Sequence, residues 1–165
     1  MSVFNREIVS MSTTVLENCR KRKWLLATAE SCTGGLIGGA LTEIAGSSDV
    51  FDRGFITYTN KAKHKVIGVD IDTLRNFGAV SEEVARTMAA GALKTAAVQI
   101  AVAVTGIAGP GGGSAEKPVG RVHLAATNID GNTLHRKMDY GDIGRSEVRI
   151  ATVMTALEML NEISS

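Results

Sequence analysis

Residues 24–35 read WLLATAESCTGG. The apolar run WLLA has the character of a buried strand, and it leads straight into Glu30, Ser31, Cys32 and Thr33 and then Gly34 and Gly35. A structural turn needs one or two of those residues, whereas a reactive corner uses most of them. A serine at a strand end, just ahead of a helix, stands at the top of a sheet, where the amides of Gly34 and Gly35 are placed to face the oxyanion of a tetrahedral intermediate. The order follows the logic of a nucleophile elbow, yet GxSxG is absent, so the hydrolase signature itself is missing. Thr33 reads as the N-cap of a helix in which Leu36, Ile37, Ala40, Leu41 and Ile44 recur at helical spacing before Gly46.

Outward from this corner, helical and extended patterns alternate. Ile8, Met11, Val15, Leu16 and Cys19 give an amphipathic helix within 3–22, followed by a strand over 24–29. FDRGFITYT (51–59) is strand-like, 60–68 is a short helix, and 81–96 is a helix whose many alanines suggest close packing on a neighbour. QIAVAVT (99–105) is apolar on both faces, which requires cover on both sides. A second glycine-rich connection follows at 106–113, then segments 119–127 and 133–140 flank the turn signal DGN as a hairpin, and 145–162 closes the chain as a helix. Strands separated by helices, with a late hairpin, predict one α/β domain over 1–165: a three-layer α/β/α sandwich on a mixed, mostly parallel sheet.

The chain has 165 residues, a net charge of +1 and two cysteines, so one core is expected to hold it without disulfides. The charge balance and the absence of long like-charged blocks argue against a nucleic-acid or membrane-surface partner. The basic run Arg20–Lys23 fits the C-terminus of a helix. No signal-peptide core and no uncharged apolar run of 18 occur, which points to a cytoplasmic protein. No Cys/His pattern has zinc spacing, and neither glycine loop contains GxGxxG or GxxxxGK[ST], so no metal and no dinucleotide or P-loop cofactor site is expected. The small-residue helix at 85–97 favours a homo-oligomer.

Both glycine loops leave the ends of apolar strands, where ligands bind in open α/β sheets and where bare amides can converge on an anion. A nucleophilic serine also needs a base. Of the histidines, His123 and His135 lie in or beside strands and His64 sits among lysines. YTNKAKHK (58–65) crowds three lysines, and a crowded or desolvated lysine loses its proton near neutral pH; taken alone, the same cluster is a solvated helix face.

TAESCTGG, AGSS (45–48), FDRGFITYTNKAK, GAVSEE (78–83), TGIAGPGGGSAEKPVG and the pair Arg145/Arg149 together resemble the C-terminal domain of the competence/damage-inducible protein CinA, over roughly residues 8–160. The resemblance implies a nicotinamide mononucleotide amidohydrolase that uses a serine/lysine dyad without a cofactor. By motif position the serine is Ser31 and the lysine Lys63, with Tyr58 and Asn60 orienting the dyad or the pyridine ring. The Cys32 to Gly35 amides would stabilise the oxyanion, and Glu30 would orient Lys63 or cap the loop. Thr105 and the loop carrying Gly106, Gly109, Gly111, Gly112 and Gly113 would hold the ribose phosphate, with Arg145 as its counter-charge. Cys32 and Ser48 are rival nucleophiles. Longer relatives carry an additional N-terminal domain with a pyrophosphatase-like activity, which this chain, starting at its own methionine, is expected to lack. The competing class is a non-catalytic module that binds a nucleotide or a protein in a competence or damage response.

Overall fold

The computed structural model describes residues 1–165. Its centre is one sheet in the order β2 (Phe51–Ile56), β1 (Leu26–Glu30), β3 (Ile100–Gly106), β4 (Arg121–Asn128), β5 (Thr133–Asp139). β1 is parallel to both β2 and β3, while β4 is antiparallel to β3 and β5, so β4 alone runs against the other strands. Helices α1 (Arg6–Arg22), α2 (Leu36–Thr42) and α6 (Arg145–Ser164) cover one face. Helices α3 (Asn60–Ile67), α4 (Ile71–Phe77) and α5 (Glu82–Ala96) cover the other. The expected three-layer sandwich is therefore present.

Alternation along the central strands sorts side chains between the two layers. In β3, Ile100, Val102 and Val104 join the larger core under α1 and α6, while Ala101 and Ala103 meet the alanine face of α5. Small residues on both surfaces bring α5 close to its neighbours: a Cβ at Gly91 would lie 1.9 Å from the Ile67 carbonyl oxygen, so only glycine fits there. In β1, Leu26 belongs to the α1/α6 side and Ala27 and Ala29 to the α5 side. The same alternation sends Glu30 toward α2 and Ser31 toward α3.

Several boundaries differ from expectation. α1 begins only at Arg6 because Asn5 caps it, its side chain accepting from the Ile8 amide at 2.9 Å. β2 stops at Ile56, and Thr59 caps α3 by accepting from the Ala62 amide. Thr33 is not the N-cap of α2, which starts at Leu36 behind Gly35 without any capping by the preceding side chain. α4 was not legible, since seven residues with only Leu74 buried make too short a period to detect. No helix is long and apolar enough to cross a membrane.

Candidate active site

The C-terminal ends of β1, β2 and β3 meet at one edge of the sheet. There Ser31, Tyr58 and Thr105 line a cavity of about 270 Å³ together with Cys32, Asn60, Lys63, Arg145 and the loop residues Gly106, Gly109, Gly111 and Gly112. The sequence had proposed each of these residues. Ser31 is anchored by its amide, which donates to the Val104 carbonyl at 3.1 Å. One turn into α3, Lys63 sends its Nζ to within 3.0 Å of Ser31 Oγ, 3.0 Å of the Thr57 carbonyl oxygen and 3.2 Å of the Tyr58 carbonyl oxygen. Lys63 is 1% exposed and forms no ion pair. Burial pushes its pKa down to about 8, with the Cys32 thiol opposing slightly.

These partners define what the amine can do. As an ammonium, Lys63 donates one hydrogen to each of the three oxygens. As a neutral amine its two hydrogens go to the two carbonyls, which can only accept. The lone pair is then left for the Ser31 hydroxyl hydrogen.

On the opposite face of β1, Glu30 is 1% exposed and fully occupied. Its Oε1 accepts from Thr33 Oγ1 at 2.7 Å, the Gly35 amide at 3.2 Å and the Ile37 amide at 2.9 Å. Its Oε2 accepts from Thr28 Oγ1 at 3.1 Å and the Gly38 amide at 3.0 Å. Glu30 therefore caps α2 from inside the strand; it neither lines the cavity nor pairs with Lys63. Helix starts leave amides without partners, and a carboxylate suits both those donors and the positive end of the helix dipole.

The same contacts correct the expected oxyanion donors. The Gly34 amide donates to the Ser31 carbonyl at 3.1 Å and the Gly35 amide is held by Glu30, so neither is free. The amides of Cys32 and Thr33 have no acceptor within the protein. Gly34 and Gly35 are needed for backbone shape instead, with φ of +58° and +101°. The Thr33 side chain is turned away from the cavity, its hydroxyl donating to Glu30 Oε1 at 2.7 Å.

Other expected residues also sit elsewhere. Ser48 is exposed in a 3₁₀ turn ahead of β2, at the end of the sheet opposite Ser31, and does not line the cavity. Cys32 lines the cavity, but burial pushes its thiol up to about 11, leaving no thiolate at neutral pH. Gly113 packs toward Val119 and does not line the cavity. Thr105 lines it, yet its hydroxyl donates to the Ala79 carbonyl at 2.9 Å. None of the three histidines reaches the cavity. No three His, Cys, Asp or Glu side chains come together to hold a metal ion.

The family model for the CinA C-terminal domain matches residues 8–164. The chain belongs to that family. It is 51% identical over 140 residues to nicotinamide-nucleotide amidohydrolase PncC of Enterobacter agglomerans, covering 84% of each protein. It is 50% identical over 144 residues to a CinA-like protein of Syntrophobacter fumaroxidans, of which it spans 34%. The crystal structure of the competence/damage inducible protein CihA from Agrobacterium tumefaciens matches with a TM-score of 0.98 at 58% identity, covering all of both chains. A competence damage-inducible protein from Klebsiella pneumoniae matches at TM-score 0.88 and 35% identity, over 94% of this chain and 95% of that one.

In this CinA-family domain the glycine loop offers amides at Ala108, Gly109, Gly111 and Gly112 that have no acceptor within the protein. Arg145, from the first turn of α6, closes that side. Its Nη1 donates to the Gly109 carbonyl at 2.8 Å and its Nη2 to the Tyr58 hydroxyl at 2.9 Å. Ile107 and Ala108 of the 106–113 loop also line the cavity, as do Ala79 and Val80, which nothing in their apolar character had marked. Sequence reasoning quoted Arg149 without giving it a role. Its spacing of four from Arg145 puts both guanidinia on one helix face, which is the signal that could have found it.

Proposed function

We propose that this chain is an amidohydrolase that converts nicotinamide mononucleotide to nicotinate mononucleotide and ammonia through a Ser31/Lys63 dyad. The observation that carries the proposal is the Lys63 Nζ at 3.0 Å from Ser31 Oγ, with its other two partners both obligate acceptors. Similarity to nicotinamide-nucleotide amidohydrolase PncC supports the reaction and the substrate class.

In this scheme neutral Lys63 takes the Ser31 proton as Oγ bonds to the carboxamide carbon, and the developing oxyanion accepts from the Cys32 and Thr33 amides. The resulting lysine ammonium returns that proton to the departing nitrogen, the C–N bond breaks, and ammonia leaves an acyl-serine. Water then attacks the acyl carbon, Lys63 takes the water proton, and the Ser31 oxygen leaves with it to regenerate the hydroxyl. The glycine-loop amides and Arg145 would receive the phosphate, whose oxygens suit a guanidinium. Tyr58 and Asn60 would flank the pyridine ring. We propose a cytoplasmic location, in keeping with two free, buried cysteines.

Incubation with nicotinamide mononucleotide should release ammonia and nicotinate mononucleotide in equal amounts, and Ser31→Ala should stop this while the nucleotide still binds. Saturable binding without ammonia from the wild-type protein would instead favour a non-catalytic nucleotide-binding module.

A further inference from the structure

The turn from Ser31 to Gly34 carries two free amides, and each has the carbonyl of its own peptide pinned. In a trans peptide the N–H and C=O point in opposite directions, so holding the oxygen aims the hydrogen. The Ser31 carbonyl accepts from the Gly34 amide at 3.1 Å, which fixes the peptide bearing the Cys32 N–H. The Cys32 carbonyl accepts from Arg149 Nε at 3.0 Å, which fixes the peptide bearing the Thr33 N–H. Arg149 Nη2 also donates to the Thr33 carbonyl at 3.1 Å, so one planar fork spans two successive carbonyls.

The charge on this guanidinium is not cancelled. Arg20, Arg22, Arg53, Arg75, Arg86, Arg121 and Arg136 each face a carboxylate, whereas Arg149 forms no ion pair. An unneutralised cation on the carbonyl side polarises the peptide and strengthens the N–H on the other side as a donor. Arg149 itself is half-buried on α6, next to Val148 in the core, which limits its freedom to swing away.

We infer that Arg149 is a positioning residue of the amidohydrolase site: by gripping the Cys32 and Thr33 carbonyls, it aims the Thr33 N–H as the second oxyanion donor beside the Cys32 N–H. This rests on the Ser31/Lys63 reading and adds to it the residue that sets the geometry of the hole. Arg145 and Arg149 then divide the work of the first turns of α6, one holding the glycine loop and the other the nucleophile corner.

The test combines kinetics with amide NMR. Arg149→Met should lower kcat by roughly 10², the scale of losing one oxyanion donor, with KM little changed and the pH midpoint of the rate unmoved. Arg149→Lys should fall between the two, and added guanidinium ion should restore part of the Arg149→Met rate. Pyridine-3-boronic acid, which forms a tetrahedral anion on a nucleophilic serine, serves as the probe in NMR. In the wild-type protein the Cys32 and Thr33 amide protons should both move downfield on adduct formation, and in Arg149→Met only that of Cys32 should. A wild-type adduct that leaves Thr33 unmoved, or an Arg149→Met enzyme of near-normal kcat, would overturn the inference while the dyad stood. Neither ammonia nor an adduct from the wild-type protein would bring down the dyad, and the inference with it.

Discussion

Two buried ionisable side chains flank one serine from opposite faces of the sheet, and their surroundings differ in kind. Glu30, on the α2 side, receives five hydrogen bonds, three of them from backbone amides at the start of a helix. Lys63, on the α3 side, has two carbonyls and a hydroxyl and no carboxylate. Both are 1% exposed. The anion is surrounded by donors that stabilise its charge, so it is fixed scaffolding. The cation has partners that a neutral amine satisfies equally well, so its proton is easily given up. Burial alone therefore does not mark a reactive residue; burial without a counter-charge does.

The comparison breaks most directly at the serine. Ser31→Ala removes the proposed nucleophile and should reduce ammonia release by roughly 10⁴ or more, as loss of a covalent nucleophile does elsewhere; turnover near normal would exclude the acyl-serine route. Lys63→Met should lower kcat by roughly 10² to 10⁴, the usual contribution of a positioned base. In the wild-type enzyme kcat/KM should rise with pH through about 8 and then level, because only the neutral amine can take the serine proton.

Glu30→Gln probes the other face and should act mainly on stability. The amide nitrogen cannot accept, so buried donors at the α2 start lose their partner, at a cost of about 2–3 kcal/mol. For a chain of this size that corresponds to a fall in Tm of roughly 5–10 °C. The folded fraction should keep much of its turnover, and a thermal melt paired with kcat per folded molecule checks both halves. A loss of activity without a change in melting would place Glu30 in the chemistry.

The last effect is confined to alkaline pH. Native Lys63 releases its proton near about 8 and an ordinary lysine near 10.5. Below about 8 both states hold the proton and the cost of burying the charge is fully present. Between about 8 and 10.5 the unfolded chain binds more protons, so stability rises with pH. The wild-type protein should therefore gain stability relative to Lys63→Met across that window, as measured by urea midpoints for the two proteins. A constant difference would mean that the buried amine has an ordinary proton affinity.

Much of the layer order was legible, because the apolar runs of β1 and β3 and the helical spacing of α1, α5 and α6 are long enough to declare themselves. β2 was overextended: its pattern FDRGFITYT continues past Ile56, and only tertiary contacts show that Thr57 and Tyr58 have left the strand to meet Lys63. At the site, Ser31 and Lys63 were singled out through motif position. Their mutual distance was not readable, since 32 residues separate them and strand parity with the α3 cap brings them together. Thr33 misled because a threonine before an apolar helical pattern usually caps it, whereas here a glutamate in the preceding strand supplies that function. The amides of Gly34 and Gly35, read from the sequence as oxyanion donors, are already engaged, the first on the Ser31 carbonyl and the second on Glu30.

The central claim is that the Lys63 amine is readily neutral beside Ser31, and its titration can be followed by the ¹³Cε resonance of that one lysine, assigned by its loss in Lys63→Met. The account predicts a midpoint near about 8, well apart from the other lysines. A midpoint above about 10, in the ordinary lysine range, would contradict it.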